Sequence, residues 1–355
     1  MSLVLRVDGD RWRAHLRQVA AGEPGLVPVA KGNGYGFTVG RLARKAAWLG
    51  VDTLAVGIYD ELDSVAHRFD GDLLVLTPWR PHGDAEGVDA AISSRVIHTV
   101  SRLEDLGALL AREPQARFVL ERTTSMLRHG MSAAELRSAG QELAGRDGPH
   151  RLEGVALHLP LAAGSHLPEV ERLLTDVVSA GLPRPAGTVV WVSHLTGDEL
   201  GRLRAAYPDF TFRPRIGTDL WLGDRTALRA TATVLDVHAV DRGDVFGYRG
   251  RTVPRAGHLL VVSGGTAHGI GLEAPLGDAS VKGRAATFVR GGLDAVGFVR
   301  SPFTVDGKQR LFAEPPHMQA SMLFLPSGAR VPDVGDEVDV RVRYTATAFD
   351  GVEVS

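Results

Sequence analysis

Short apolar runs alternate, through roughly the first two thirds of the chain, with longer stretches whose apolar positions return every three or four residues. The short runs fall at 26–30, 53–56, 73–76, 96–98, 117–120, 152–157, 189–192 and 212–216. The longer stretches, among them 39–49, 103–111, 133–144, 170–180 and 198–206, carry the periodicity of amphipathic helices. Eight strand candidates, each followed by a helix candidate, predict a (β/α)8 TIM-type barrel over residues 8–230.

After about residue 230 the texture changes. Valine, glycine and threonine dominate, and short alternating runs at 259–263, 285–288, 318–325 and 337–346 are separated by turn residues. That pattern predicts an antiparallel β domain over residues 231–355. The segment from Asp333 to Val338 reads as a turn feeding a strand of a small barrel, and the run at 3–7 suits pairing into either domain.

Composition narrows the class. The 355 residues are 44% hydrophobic and 23% charged, with a net charge of −2 and both signs interspersed, so a filled core is expected and a nucleic-acid or anionic-membrane surface is not. There is no cysteine, which removes disulfides, thiolate catalysis and cysteine-ligated metals; no metal site is expected. No apolar stretch reaches the ~20 residues of a membrane span, and no signal-peptide core opens the chain. A cytoplasmic location is the simplest expectation.

In a barrel of this kind reactive groups belong where the βα loops converge, past the C-terminal ends of the strands. Lys31 follows the first run, Arg122 and Arg128 the fifth, His158 the sixth, Ser193 and His194 the seventh, and Arg215 with Gly217 the eighth. Lys31 stands at the end of Val27-Pro28-Val29-Ala30 and before Gly32-Asn33-Gly34-Tyr35-Gly36. An amine partly desolvated at a strand end gives up its proton more readily and forms a Schiff base with an aldehyde. In Arg215-Ile216-Gly217-Thr218-Asp219-Leu220-Trp221-Leu222-Gly223, a glycine before a helix start lets backbone N–H groups approach an anion such as phosphate.

These strings resemble the alanine racemase family. The Lys31 string is similar to V-x-K-A-N-A-Y-G, with glycines for the two alanines. The Arg215 string is similar to R-x-G-x-x-L-Y-G, with tryptophan for tyrosine and one extra residue. Glu121 to Gly130 falls on K-x-D-T-G-M-x-R-x-G, matching at Met126, Arg128 and Gly130 and putting a native carboxylate, Glu121, where many members carry a carbamylated lysine. The resemblance implies pyridoxal 5'-phosphate held as an aldimine on Lys31, and Gly217 and Thr218 as phosphate ligands. It also implies Arg215 at the pyridine nitrogen, Arg128 at the phenolic oxygen and His158 beside the ring. Tyr35 joins the cofactor site. Thr196, with Ser193 as the alternative, takes the place of the serine after strand seven, and Tyr344 that of the tyrosine that closes over the phosphate. A homodimer with a shared site and a small amino-acid substrate follow from the same resemblance.

Two places break the pattern. The family's second base, a tyrosine in G-Y-A-D-G, is Thr266 in Gly264-Gly265-Thr266-Ala267-His268-Gly269. A threonine hydroxyl is far too weak an acid for that role near neutral pH, and His268, two residues on, is the candidate surrogate. The substrate-carboxylate segment M-D appears as Met318-Gln319. The expected function is a racemase-like enzyme acting on a small amino acid such as alanine. The alternatives are non-racemising chemistry, as in decarboxylation or transamination, and a cofactor-binding protein without turnover.

Overall fold

A computed structural model describes residues 2–83, 88–146, 151–161, 164–183, 186–272 and 299–355. The chain divides into two compact units, Arg13–Gly223 and Met1–Trp12 with Asp224–Ser355.

The first unit is a parallel barrel. Its strands are β2 (Val27–Pro28), β3 (Thr53–Val56), β4 (Asp72–Pro78), β5 (Val96–Val100), β6 (Arg117–Arg122), β7 (Arg151–His158), β8 (Val189–Ser193) and β9 (Thr211–Ile216). Each pairs with its neighbour in chain order, β9 returns to β2, and a bridge between Val29 and Ala55 closes the ring. The preceding strand β1 (Leu3–Val7) belongs to the other unit, and α1 (Gly9–Gly22) follows it. The helices after the barrel strands are α2 (Val39–Leu49), α3 (Leu62–Ala66), α4 (Ala90–Ser93), α5 (Leu103–Arg112), α6 (Ala133–Ala144), α7 (Leu167–Ser179), α8 (Gly197–Ala206) and α9 (Thr218–Leu222). The eight apolar runs are thus the eight barrel strands, because strands covered on both faces read as continuous apolar segments.

Inside the ring, Val27, Val29, Ala55, Leu74, Ile97, Val119, Ala156 and Trp191 pack as one buried cluster. Burying each large aliphatic side chain contributes about 1.5–3 kcal/mol, so the interior is a solid core that fixes the strand ends above it. Trp191 is held further by donating its Nε1–H to the Glu153 carbonyl at 2.9 Å. Arg117 ties the starts of three strands through Asp72 and Glu153.

The second unit is antiparallel apart from one pair. Its long strand β10 (Leu228–Val240) pairs with β1 and β17 (Glu337–Val340) through its first half and with β13 (Gly257–Ser263) through its second. The order β10-β13-β16-β15-β14-β17 returns to β10 as a six-stranded closed barrel, built from β13 (Gly257–Ser263), β14 (Arg300–Val305), β15 (Lys308–Phe312), β16 (Ala320–Pro326) and β17 (Glu337–Val340). A ribbon of β11 (Val245–Phe246) and β12 (Arg251–Thr252) stands apart, and β18 (Gly351–Val354) adds to β1 in parallel. Its core is Leu3, Val234, Leu260, Val262, Phe303, Leu323 and their neighbours.

Two expected strands are shorter than their apolar runs. The run at 337–346 ends as a strand at Val340, because the amides of Ala346 and Thr347 both turn back onto the Arg343 carbonyl instead of joining a ladder. The run at 318–325 begins as a strand only at Ala320, leaving Met318 and Gln319 outside it. The expected run at 285–288 lies outside the described residues. Among the described residues no helix is long and apolar enough to cross a membrane.

Candidate active site

At the C-terminal mouth of the parallel barrel, the chain leaves β2, passes Lys31, and turns sharply. Gly34 and Tyr35 both adopt positive φ, 61° and 55°. A Cβ at residue 34 would sit 2.5 Å from the Val39 amide nitrogen, so glycine is required where the family carries alanine. Tyr35, a bulky residue in the left-handed region, is buried under this turn. Strain of that kind costs on the order of 1–3 kcal/mol and persists where the surroundings force it.

Glu61 organises the neighbouring loop. Its carboxylate accepts from the amides of Gly32 at 2.5 Å and Gly57 at 2.6 Å. Gly57 packs against Lys31, where a Cβ would approach the lysine Cβ to 3.0 Å. The Lys31 side chain stays accessible from the mouth, yet burial of its amine, with Arg128 and Arg215 nearby, holds its pKa below the usual lysine value.

Arg215 is buried at the end of β9 and donates to the Leu157 carbonyl at 2.9 Å. Burial lowers it to about 10, Glu121 opposing and Arg128 assisting, so it remains cationic near neutral pH. Its Nε has no partner among the described residues, and neither has Oε2 of the buried Glu121. Burial pushes Glu121 up, while Arg215, Arg128 and Arg80 pull it down. Arg128 rides an exposed hairpin closed at its base by bonds between Thr123, Met131 and Glu121. Arg122, grouped with the rim by sequence, is instead a buried strand residue bound to Asp176 and to the Thr123 and Met131 carbonyls.

His158 lies beside Ser193, with Nδ1 2.9 Å from Oγ, and its ring meets His194 edge-on at 5.0 Å. Burial, reinforced by Arg215, Arg128, His194 and Lys31, lowers His158 to about 3, so it is neutral. His194 adopts a φ of 64° and donates Nδ1–H to the Leu159 carbonyl at 2.6 Å. Gly217 faces Tyr35: a Cβ there would overlap the tyrosine hydroxyl. Burial, with Glu61 and Asp219 nearby, raises that hydroxyl to about 12. Thr218 opens the short helix α9, and the indole of Trp221 donates to the Val29 carbonyl at 2.7 Å, joining the two sequence strings physically.

Thr196 has a different local task from the one expected. Its hydroxyl is the N-cap of α8, accepting from the Glu199 amide at 3.2 Å, and the Glu199 carboxylate stands beside it. Burial opposes that charge, but bonds from Thr196, His166 and Ser165 hold the carboxyl down to about 2, an unfavourable neighbour for an anion. Ser193, the alternative, is buried against His158.

In the β unit, two expected segments lie side by side. The amides of Gly264, Thr266 and Ala267 donate to the carbonyls of Gln319, His317 and Met318 at 2.9, 2.8 and 2.9 Å. A Cβ on Gly265 would overlap the His317 carbonyl, so the glycine permits this approach. Thr266, Met318 and Gln319 line a cavity of about 840 Å3 together with Tyr248, Arg249, Glu314 and His317. His268 turns away from a base's role. It is buried, with Nδ1 accepting from the Gly265 amide at 3.2 Å and Nε2 3.1 Å from Asp350 Oδ1. Both ring nitrogens are engaged in holding the turn. Tyr344 occupies a turn rather than a strand, with the Arg225 guanidinium 5.2 Å from its ring centre.

Sequence reading passed over Glu61, Gly57, Glu314 and His317. Glu61 obeys the rim rule that found the others, since it follows β3; Glu314 and His317 sit in a turn without a motif.

A (β/α)8 barrel with a lysine, two arginines and a neutral histidine at its mouth, joined in one chain to an antiparallel β unit, defines the racemase-type fold class. The family model described as alanine racemase, N-terminal domain, matches residues 7–181. An alanine racemase of Symbiobacterium thermophilum is 32% identical over 195 residues, 51% of this chain and 50% of that protein, so the match spans about half the length of that curated relative. In fold, the alanine racemase from Bartonella henselae with covalently bound pyridoxal phosphate aligns at a TM-score of 0.69 and 16% identity, over 98% of each chain. The histidine racemase from Leuconostoc mesenteroides aligns at 0.68 and 16%, over 99% of this chain and 98% of that one. Residues 7–181 thus match the alanine racemase N-terminal domain, and the fold of the chain is that of the alanine racemases.

Proposed function

We propose that the protein is a pyridoxal-phosphate-dependent, racemase-like enzyme acting on a small amino acid such as alanine. The observation that carries this reading is the position of Lys31, just past β2 at the barrel mouth and packed against Gly57, with Arg128 and Arg215 near enough to disfavour its charge.

The residues present fit the cofactor. Lys31 supplies the amine that bonds to its aldehyde. The Gly217 backbone, open because residue 217 lacks a Cβ, Thr218 and the Tyr35 hydroxyl form the cradle for phosphate. Arg215, with an unpartnered Nε and a permanent charge, suits the ring nitrogen, and Glu121 offsets that buried charge. His158, neutral, would stand beside the ring, and Arg128 would hold the phenolic oxygen or a substrate carboxylate. When bound, the cofactor would acidify the α-hydrogen of an amino acid attached to it. The Lys31 amine would accept or return that proton on one face. Met318 and Gln319 border the β-unit cavity and are the proposed substrate contacts, with Gln319 supplying a neutral donor. A homodimer in the cytoplasm completes the proposal.

The test is spectroscopic. Incubated with pyridoxal phosphate, the protein should gain a visible absorption band that borohydride bleaches, leaving the label on Lys31. Lys31→Ala should show no band. Protein that stays colourless, or a Lys31→Ala variant with the full band, would overturn the reading.

A further inference from the structure

The turn at Glu314–Gln319 holds an acid–imidazole pair that the reading above leaves unused. The Glu314 side chain is almost wholly buried, 3% exposed, and its Oε1 lies 2.6 Å from Nε2 of His317, whose side chain is 28% exposed. The other carboxylate oxygen accepts from the Tyr248 amide at 3.1 Å. The carboxylate is therefore fixed from two sides, each oxygen acting as an acceptor. It selects the imidazole tautomer that carries hydrogen on Nε2, which leaves the lone pair on Nδ1. Nδ1 has no partner among the described residues. A base oriented by a buried carboxylate through its other nitrogen is the arrangement general-base sites share.

Position agrees with this. The His317 carbonyl takes the Thr266 amide at 2.8 Å, so the imidazole belongs to the residue locked against the place where the family's second base would stand. His317, Thr266, Met318 and Gln319 line the same cavity. The two other candidates there are weaker. Thr266 carries only an alcohol, and His268 has both nitrogens occupied. Tyr248, 86% exposed, has its ring centre 4.6 Å from that of His317 with the planes tilted by 54°, and has no fixed partner for its hydroxyl among the described residues.

The geometry points to His317, oriented by Glu314, as the proton-transfer group of the β unit, replacing the missing tyrosine. The inference rests on the function proposed above. In the step it performs, the α C–H bond of the substrate breaks, its electron pair stays with the substrate, and the proton forms an N–H bond at Nδ1. The resulting imidazolium is neutralised by Glu314. Return of a proton from Nδ1 completes exchange on the face that His317 serves, and interconversion of the enantiomers requires a proton carrier on each face.

Holoenzyme is assayed with L- and D-alanine in D2O for α-hydrogen exchange and for enantiomer interconversion, with the cofactor band recorded throughout. His317→Gln should keep the band, keep exchange into one enantiomer, and lose interconversion by ~10²–10⁴-fold. His317→Ala should regain part of the rate with added imidazole, which a purely structural role would not allow. Nitrogen-15 NMR of the protein without cofactor should show the Nε2–H tautomer at His317, and Glu314→Gln should abolish that preference. Unchanged interconversion in His317→Gln, or its loss in Tyr248→Phe but not in His317→Gln, overturns this assignment alone, as does an Nδ1–H tautomer. A wild-type holoenzyme that exchanges no α-hydrogen at all removes the proposed function as well.

Discussion

The hydroxyl of Tyr35 and the absent side chain of Gly217 share one space: a Cβ on residue 217 would overlap the tyrosine oxygen. Glycine at 217 is therefore fixed by a buried side chain from a different loop, and the Tyr35 hydroxyl is brought against the turn that opens α9. Overpacking a fitted contact costs about 1–3 kcal/mol. Gly217→Ala should lower the midpoint of thermal unfolding accordingly and weaken retention of pyridoxal phosphate in dialysis. Tyr35→Phe removes only the oxygen, so it should weaken cofactor retention with little change in the unfolding midpoint. A Gly217→Ala protein as stable and as retentive as wild type would mean that the loops repack freely.

The lowered Lys31 pKa has nearby causes that can be removed. Burial comes first, then Arg128 and then Arg215, with Glu61 opposing. Taking away a positive neighbour makes the protonated amine less unfavourable, so Arg128→Gln should move the Lys31 pKa upward. The pH at which an aldehyde reagent labels Lys31 should shift upward with it. Glu61→Gln removes the opposing charge and should shift labelling downward. Peptide mapping across a pH series reads both directions, and equal midpoints in all three proteins would dissociate the arginine from the amine.

His158 and His98 make the fold sensitive to acid. Burial lowers His98 to about 4, and burial with nearby cations lowers His158 to about 3. The unfolded chain binds a proton on each near the ordinary value of about 6.5, while the folded chain does not. The unfolded state therefore holds more protons in this window, and stability falls as pH drops below 6.5 toward the folded values. Each group contributes at most about 1.4 kcal/mol per pH unit, less at His158 because it is partly exposed. Denaturant unfolding at pH 6.5 and 5 should show a smaller loss in His158→Asn than in wild type. An identical loss would place the acid sensitivity elsewhere.

The barrel was legible because each of its strands is covered on both faces and announces itself as an apolar run. Even the thin run at 96–98 is a five-residue strand, β5, with every position buried. The β unit was harder to read. β18 is a four-residue strand of intermediate and exposed positions, with no apolar signature, and it exists because β1 offers a free edge. In the site, the strings around Lys31 and Arg215 carried their own signal, and Trp221 bonded to Val29 shows them meeting. His268 could not be judged from spacing. Its neighbour in the fold is Asp350, 82 residues away, and that bond decides that the ring braces a turn. Glu314 and His317 were invisible for a similar reason, since a pair three residues apart in a proline-rich turn looks like any surface turn until burial of the carboxylate is known.

Thr266 is the departure on which catalytic power turns. Its amide is held by the His317 carbonyl, and its side chain borders the cavity shared with Met318 and Gln319. The backbone there is fixed by three hydrogen bonds and by the close approach at Gly265, and residue 266 lines the cavity. Thr266→Tyr would place a phenol in that space. A phenol is a far better proton carrier than an alcohol, and a positioned acid or base is worth ~10²–10⁴-fold in a rate that needs it. If His317 already carries the proton, the added phenol duplicates it, and Thr266→Tyr should change alanine interconversion only modestly in the wild-type background. In His317→Gln the same change should restore a large part of the lost rate. Measuring the four proteins as a double-mutant cycle separates the cases. Strong gain from Thr266→Tyr in both backgrounds alike would mean that the site has no second proton carrier of its own.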